Sequence, residues 1–345
     1  MERRDFLKSA TAAGIAAARP AALAQSAPRI SSPTKRPEAP GMIYRELGAT
    51  GERVSAIGMG GYHLAKDQNS TQDEMVALVH QAMDRGITFF DNSWDYNEGI
   101  SEVRLGKALK GRREQAFVMT KIDGRTAKSY KKQLEESMGR LGVDHIDLVQ
   151  FHEVIRLEDP DRIFNDDGAI HAAIEARQQG KIRYIGFTGH KDPAVHLRMF
   201  EIAAKHNFHF DTVQMPVNVM DAHFRSFTKE VIPVAQKNGT GVLAMKTFGD
   251  DFVLQSNTVQ PMECLHYGLS QPVSVVITGI DKPHILDQAI EAARTFKPMS
   301  QQEQASLLAR TQAAALTGNY EPFKTTQQFD STATNPKWLG GGATG

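Results

Sequence analysis

From Val54 onward, short apolar runs alternate with amphipathic ones, and this alternation constrains the chain more than any single motif. The strand candidates are Val54–Met59, Ile87–Asp91, Ala116–Lys121, Ile146–His152, Ile182–Thr188, Thr212–Met215, Gly241–Lys246 and Ser274–Gly279. Most are continuous apolar or β-branched runs, the pattern of strands buried on both faces. Between them, Thr71 to Arg85 carries Met75, Leu78, Val79, Ala82 and Met83 on one stripe. Ser129 to Leu141 repeats this with Leu134, Met138 and Leu141, and Gly142 is placed to end that helix. Helices also fit near 100–110, 168–179, 193–206, 223–237, 260–269 and 283–295. Eight strands, each followed by a helix, predict an α/β fold closed as a (β/α)8 TIM barrel. The competing open doubly wound sheet lacks its Gly-x-Gly-x-x-Gly fingerprint at any strand-to-helix junction.

The barrel does not begin at residue 1. Arg3-Arg4-Asp5-Phe6-Leu7-Lys8 is followed by a weakly apolar, alanine-rich stretch and by Ala22-Leu23-Ala24. A charged start, a short apolar stretch and a small-x-small site are the parts of an export signal. The segment resembles a twin-arginine signal, which implies export in the folded state to the periplasm or beyond, with the twin-arginine translocon as a transient partner. Residues 25–41 hold four prolines and three serines without apolar periodicity, and read as a disordered linker. The expected organisation is therefore a signal peptide over 1–24, a linker over 25–41, a barrel over 42–321 and a tail over 322–345. In the tail, Trp338 and Leu339 leave docking and mobility equally open.

Composition removes other classes. Forty basic and forty acidic side chains give no global positive field for nucleic acid or an anionic membrane. One cysteine, Cys264, excludes an internal disulfide framework and any multi-thiolate metal site. No apolar run approaches the roughly 18 to 20 residues needed to span a bilayer, so stable membrane insertion is not expected. The twelve histidines form no metal-binding motif, and no metal is expected. Neither a Gly-x-Ser-x-Gly elbow nor a phosphate loop occurs, which sets serine hydrolysis and phosphoryl transfer aside.

Polar residues at the C-terminal ends of barrel strands point into the catalytic mouth. The second strand ends at Asp91 and runs through Trp94 to Tyr96; the third ends at Lys121 and the fourth at His152. Alone, Asp91 reads as a cap, Lys121 as a rim charge, His152 as a structural histidine and Tyr96 as packing. Together they bring an acid, a base, a phenol and an imidazole from three adjacent strands.

These residues, with Tyr44-Arg45-Glu46-Leu47-Gly48, Val54 to Gly60, Ser101 to Gly106 and Leu134 to Met138, resemble the aldo-keto reductase family over Tyr44 to about Arg294. The resemblance implies an N-terminal β-hairpin that closes the barrel floor. It also implies NAD(P)H-dependent interconversion of an aldehyde or ketone and its alcohol. Asp91, Tyr96, Lys121 and His152 then form the catalytic tetrad. Tyr96 is the general acid and base, and Lys121 is expected to lower the phenol from its usual pKa near ~10. Asp91 pairs with Lys121, and His152 orients the small-molecule carbonyl substrate.

The same resemblance implies cofactor contacts from Gly60, Gly61, Thr188, Gly189, Gln214, Met245, Lys246, Phe248, Gly279, Asp281, Lys282 and Gln288. Gly189 stands where the family usually has an asparagine, and His190 is a candidate replacement. Met245 stands where an aromatic ring often stacks. NADP(H) is preferred on family grounds; Asp281 keeps NAD(H) as the alternative, since it would repel a 2′-phosphate. Tyr62, His63, Trp94 and Val154 are the substrate candidates, with loop packing as the lesser reading of Tyr62 and Trp94. The rival reading is a non-catalytic, nucleotide-binding barrel that serves as a binding or partner protein.

Overall fold

The structure is a computed structural model, and it describes residues 33–340. The proposed signal and the linker up to residue 32 lie outside the described residues. Tyr44–Glu46 (β1) and Arg53–Ser55 (β2) form an antiparallel hairpin, with Tyr44 opposite Ser55. Eight parallel strands follow: Ile57–Gly60 (β3), Phe89–Asp91 (β4), Phe117–Ile122 (β5), Ile146–Phe151 (β6), Ile182–Thr188 (β7), Thr212–Pro216 (β8), Gly241–Met245 (β9) and Val275–Gly279 (β10). They pair in chain order and close into a barrel through β10 and β3. The fold is the (β/α)8 barrel with an N-terminal hairpin that the alternation and the resemblance implied.

One expected strand proves to be two. Val54 and Ser55 belong to the hairpin, and the chain turns at Ala56 before Ile57 enters the barrel. Ser55 makes the switch: its hydroxyl accepts the N–H groups of Thr88 at 2.9 Å and Phe89 at 3.3 Å, and donates to the Ile57 carbonyl at 2.7 Å. Both halves are buried, so periodicity could not separate them.

The helices start and stop where local chemistry directs. Thr71 and Glu74 form a reciprocal cap on helix Gln72–Asp84, whose buried residues are the five apolar ones expected. Gly142 ends helix Ala127–Leu141 in the left-handed region, at φ 63°. The helix expected over 223–237 is broken into Phe227–Glu230 and Ile232–Lys237, with a proline in the first turn of the second. A further helix, Gln301–Ala315, follows the last barrel unit and is capped by Ser300 and Glu303. Among the described residues, no helix is long and apolar enough to cross a membrane.

Inside the barrel, Phe89, Phe117, Met119, Leu148, Tyr184, Leu243, Val275 and Ile277 pack with Leu47 and Val54 from the hairpin, sealing the floor. Phe89 stacks on Phe117 at 5.2 Å between centroids. Burying side chains of this size contributes about 1.5–3 kcal/mol each.

The linker reading fails for residues 33–41. Arg36 is buried beneath the floor, paired with Glu52 at 2.7 Å and with Asp147 at 2.9 Å. Arg113 and Arg183 approach the same Asp147 at 2.8 and 2.6 Å. A single arginine with fitting partners overrides a proline-rich composition.

The tail docks. Lys324, fully buried, pairs with Asp221 at 2.8 Å and Glu321 at 3.0 Å, so the expected boundary at 321/322 cuts through one charge cluster. Glu153 accepts the N–H groups of Ser331 and Thr332 at 2.9 and 2.7 Å. Farther on, Arg125 N–H donates to the Leu339 carbonyl at 2.7 Å and the Gln133 side chain to that of Trp338 at 2.9 Å.

Candidate active site

Asp91 ends β4 opposite Gly60, Lys121 sits near the end of β5, and His152 follows β6 directly. Their side chains meet at the C-terminal mouth, in a cavity of about 600 Å³. Lys121 is buried, and its Nζ has three partners that match its three donors. These are the Asp91 carboxylate, the Asn92 carbonyl at 2.8 Å and the Tyr96 hydroxyl at 3.1 Å. Asp91 turns its other oxygen to Gln214 Nε2 at 2.8 Å. Gln214 Oε1 is buried and has no protein donor.

Tyr96 reaches this point from a tightly turned loop. Asn97 and Glu98 adopt left-handed φ values of 51° and 57°, and Asn97 Nδ2 ties the loop to the Tyr62 carbonyl at 2.9 Å. Lys121 lies within hydrogen-bond reach of the phenol, but the net shift of Tyr96 runs upward. Burial, then the charges of Asp91, Asp95, Glu153 and Asp123, push the phenol well above its ordinary value. Asp91 already takes up much of the lysine's charge, and carboxylates dominate the rest of the mouth.

His152 shows a feature that the sequence did not announce. Its Nδ1 lies 3.0 Å from Asp123 Oδ1, 3.3 Å from Asp95 Oδ1 and 3.2 Å from Ser93 Oγ. Burial opposes a charge on the ring, but Asp95 and Asp123 outweigh it and push His152 up to about 10. Asp123, buried and beside Asp95, is itself raised to about 6; Asp95 is lowered because His152 and Ser93 outweigh its burial. The three donor-type atoms lie within 4.8 Å, compact enough for a cation, but an N–H satisfies this contact pattern without any ion. Asp123 directly follows β5, by the same rule that singled out Lys121, so its position was an available signal; Asp95 lies in the loop after β4.

Of the proposed cofactor residues, Gly60, Thr188, Gln214, Met245, Lys246, Phe248, Gly279, Asp281 and Gln288 line the cavity. Gly61, Gly189 and Lys282 do not. A Cβ at Gly61 would come within 2.4 Å of the Asp91 carbonyl, and one at Gly189 within 2.2 Å of the Val154 carbonyl. Both glycines are there for close backbone approach. Lys282 is exposed, just ahead of helix Pro283–Thr295.

Among the substrate candidates, Tyr62 and His63 line the cavity, whereas Trp94 and Val154 do not. Trp94 donates to Glu136 at 2.7 Å and meets Trp338 edge-on at 5.5 Å, so it anchors the tail. Val154 is fully buried. His190 lines the cavity and contacts Asp330 at 3.0 Å. Lys246 stands over Phe323 and Phe329, at 5.1 and 4.4 Å from the ring centroids, and burial lowers it to about 8. Gln328, Phe329 and Ser331 complete the wall from the tail, which carried no motif to announce them. Across the mouth, Lys66 pairs with Asp250 at 2.7 Å.

Comparison with known proteins agrees with this architecture. The aldo/keto reductase family matches residues 56–263, more than half of the chain. L-galactose dehydrogenase of Arabidopsis thaliana is 37% identical over 156 residues, which cover 42% of this chain and 48% of that protein. The oxidoreductase YqkF of Bacillus subtilis is 26% identical over 78% of this chain and 97% of its own length. The chain thus spans about half the length of the first of these relatives and nearly all of the second. Among solved structures, the thermostable aldo-keto reductase Tm1743, in complex with the inhibitor epalrestat, superposes with a TM-score of 0.64 at 25% identity. That match covers 78% of this chain and all of the other. The holo form of aldo-keto reductase AKR11C1 from Bacillus halodurans has the same TM-score at 21% identity, covers 78% of this chain and 96% of the other, and speaks to the fold alone. The chain belongs to the aldo/keto reductase family.

Proposed function

We propose that the protein is an NAD(P)(H)-dependent oxidoreductase that interconverts an aldehyde or ketone and its alcohol. One observation carries this reading. A chain of contacts runs from Gln214 through Asp91 and Lys121 to the Tyr96 hydroxyl, and it ends at the cavity beside His152. The wall suits a nicotinamide: Gln214 Oε1 lacks the donor that a carboxamide N–H supplies, and Thr188, Met245, Gly279 and Gln288 line the same cavity. When bound, the nicotinamide supplies the hydride or accepts it.

The chain's own residues do the rest. Burial and the surrounding acids keep the proton on Tyr96 until the carbonyl oxygen, gaining negative charge as hydride arrives, takes it. The oxygen left behind is 3.1 Å from Lys121 Nζ, which stabilises it. Asp91 aims that ammonium, and His152 orients the carbonyl. The tail residues Gln328, Phe329 and Ser331 narrow the access of water.

Asp281 and Gln288 line the wall and Lys282 stands outside it, so NADPH, the first choice on family grounds, and NADH are both to be assayed. Partial likeness to L-galactose dehydrogenase and the polar residues Glu153, Gln328 and Ser331 make hydroxylated aldehydes and sugars the first substrates to assay. The assay follows consumption of NADH and NADPH with an activated aldehyde, alongside Tyr96→Phe. A loss of about 10²-fold or more in that variant is expected. Equal rates in the two proteins reject Tyr96 as the acid. Twin-arginine export to the periplasm belongs to the same proposal, carried by Arg3, Arg4, Phe6, Leu7 and Lys8. N-terminal sequencing of periplasmic protein should begin at Gln25; protein that keeps Met1 and stays in the cytoplasm rules it out.

A further inference from the structure

Each polar atom around His152 Nδ1 has a definite role. The Ser93 hydroxyl donates to Asp95 Oδ1 at 2.6 Å, so its oxygen faces the ring as an acceptor. The Asp95 and Asp123 oxygens are acceptors when ionised. Nδ1 is therefore ringed by three acceptors and must carry a hydrogen. A neutral imidazole has only one N–H, so with Nδ1 protonated its Nε2 is a bare lone pair. Such a ring cannot donate to a carbonyl oxygen. It can do so only with both nitrogens protonated, as a cation.

The surroundings supply the charge balance for that cation. His152 faces Asp95 from the loop after β4, Asp123 from the loop after β5, and Glu153 beside it in the chain. Two cations lie near, and both are engaged elsewhere. Lys121 is held by Asp91, Asn92 and Tyr96. Arg125 is taken up by Asp159 and by the carbonyls of Asp123, His152 and Glu153. The Tyr96 ring closes the remaining side edge-on, at 5.8 Å between centroids.

We propose that Asp95 and Asp123 are positioning residues that keep His152 doubly protonated, so that its Nε2–H meets the substrate's carbonyl oxygen with a full positive charge. This rests on the reductase reading and deepens it. Stabilisation of the developing oxyanion then comes from a charged donor, which is roughly twice as strong as a neutral one. In the alcohol-to-carbonyl direction the same charge favours the alkoxide. The upward shift of His152 described above agrees with this assignment. The three groups share their protons and titrate as one cluster.

Nitrogen NMR of the intact protein with ¹⁵N-labelled histidine, titrated from neutral to alkaline pH, tests this without turnover. Both His152 nitrogens are expected to stay protonated through neutral pH. In Asp123→Asn the ring should lose its second proton at lower pH, and in the Asp95→Asn, Asp123→Asn double variant lower still. The alkaline limb of kcat/KM for carbonyl reduction should move down with it. At mildly alkaline pH each unit of that movement costs about tenfold. A singly protonated His152 at neutral pH in the unaltered protein overturns the proposal, as does an Nδ1 shift that reports metal binding. Neither result requires a variant to fold. If the protein reduces no carbonyl compound while the ring reads as doubly protonated, the reductase reading has failed instead.

Discussion

The barrel buries charge at both ends, and the two ends handle it differently. At the floor, Arg36, Arg113 and Arg183 converge on Asp147, and Arg36 and Arg183 also reach Glu52. Burial alone would raise Asp147, but the three arginines and the Val118 N–H outweigh it and hold the carboxyl below its ordinary value. At the mouth Asp91, Asp95 and Asp123 face Lys121, His152 and Tyr96, and the shifts run both ways: Asp95 is lowered, whereas Tyr96, His152 and Asp123 are raised. Arginine stays charged in proteins, so the floor's cations are fixed and exchange no proton. Lysine, histidine and tyrosine share protons with their neighbours. Buried charge is therefore not a functional signal in itself; the identity of its counterion is.

The largest effect that can break this contrast is expected at the mouth. Lys121→Met removes the one donor that reaches both Asp91 and Tyr96, and it leaves Asp91 with Gln214 alone. Carbonyl reduction should fall by about 10²–10⁴-fold, as when a positioned proton-transfer partner is lost. Steady-state kinetics on folded protein checks it; near-normal kcat would mean that Tyr96 does not depend on this lysine.

The floor should respond through stability instead. Asp147→Asn strips three arginines of their shared partner, a change expected to cost about 3–5 kcal/mol by the usual scale for a broken buried pair. The activity of the protein that remains folded should be unchanged. The pH dependence has a definite sign. Asp147 is lowered on folding, so its contribution is present above the unfolded value near ~3.9 and is lost as pH falls through the folded one. Acid melting of the unaltered protein should therefore be steeper than that of the variant. His152 has the opposite sense: raised to about 10, its contribution is complete below the unfolded value near ~6.5 and disappears as pH rises through 10. Equal acid sensitivity of the two proteins would argue that the arginine network does not hold Asp147 ionised.

The contrast also explains what the sequence made legible. Eight buried runs separated by amphipathic stretches announced the barrel, because burial on both strand faces leaves a continuous apolar signature. Asp91, Lys121 and His152 were legible as polar residues at strand ends, and Tyr96 through its place after Asp91. The floor was not legible: Arg36 lies in a proline-rich stretch, and its partners Glu52 and Asp147 are distant in the chain. Neither was the tail, whose order comes from single contacts such as Glu153 with Ser331 and Thr332. The direction of the Tyr96 shift escaped for a related reason. One lysine can be read from a motif, but the sum of Asp91, Asp95, Asp123 and Glu153 around a phenol appears only in three dimensions.

The smallest effect separates the mouth's chemistry from its walls. Phe329 comes from the tail, lines the cavity, meets Phe323 edge-on at 6.2 Å and lies under Lys246 at 4.4 Å. Among the described residues, no hydrogen bond, ion pair or ring contact joins it to Asp91, Tyr96, Lys121 or His152. In Phe329→Ala the wall opens while Asp91, Tyr96, Lys121 and His152 keep their contacts, so KM for the carbonyl compound should rise several-fold and kcat should change little. A cation over a ring face is worth about 0.5–2 kcal/mol, which bounds what Lys246 loses with the ring. Losing that ring also gives the ammonium better access to water, so Lys246 should move up from about 8 toward its ordinary range. Measuring kcat and KM separately checks the first expectation, and the pH dependence of Lys246 labelling by an amine reagent checks the second. A fall in kcat as large as that of Lys121→Met would mean that the tail acts on the proton-holding groups and that wall and chemistry are not separable here.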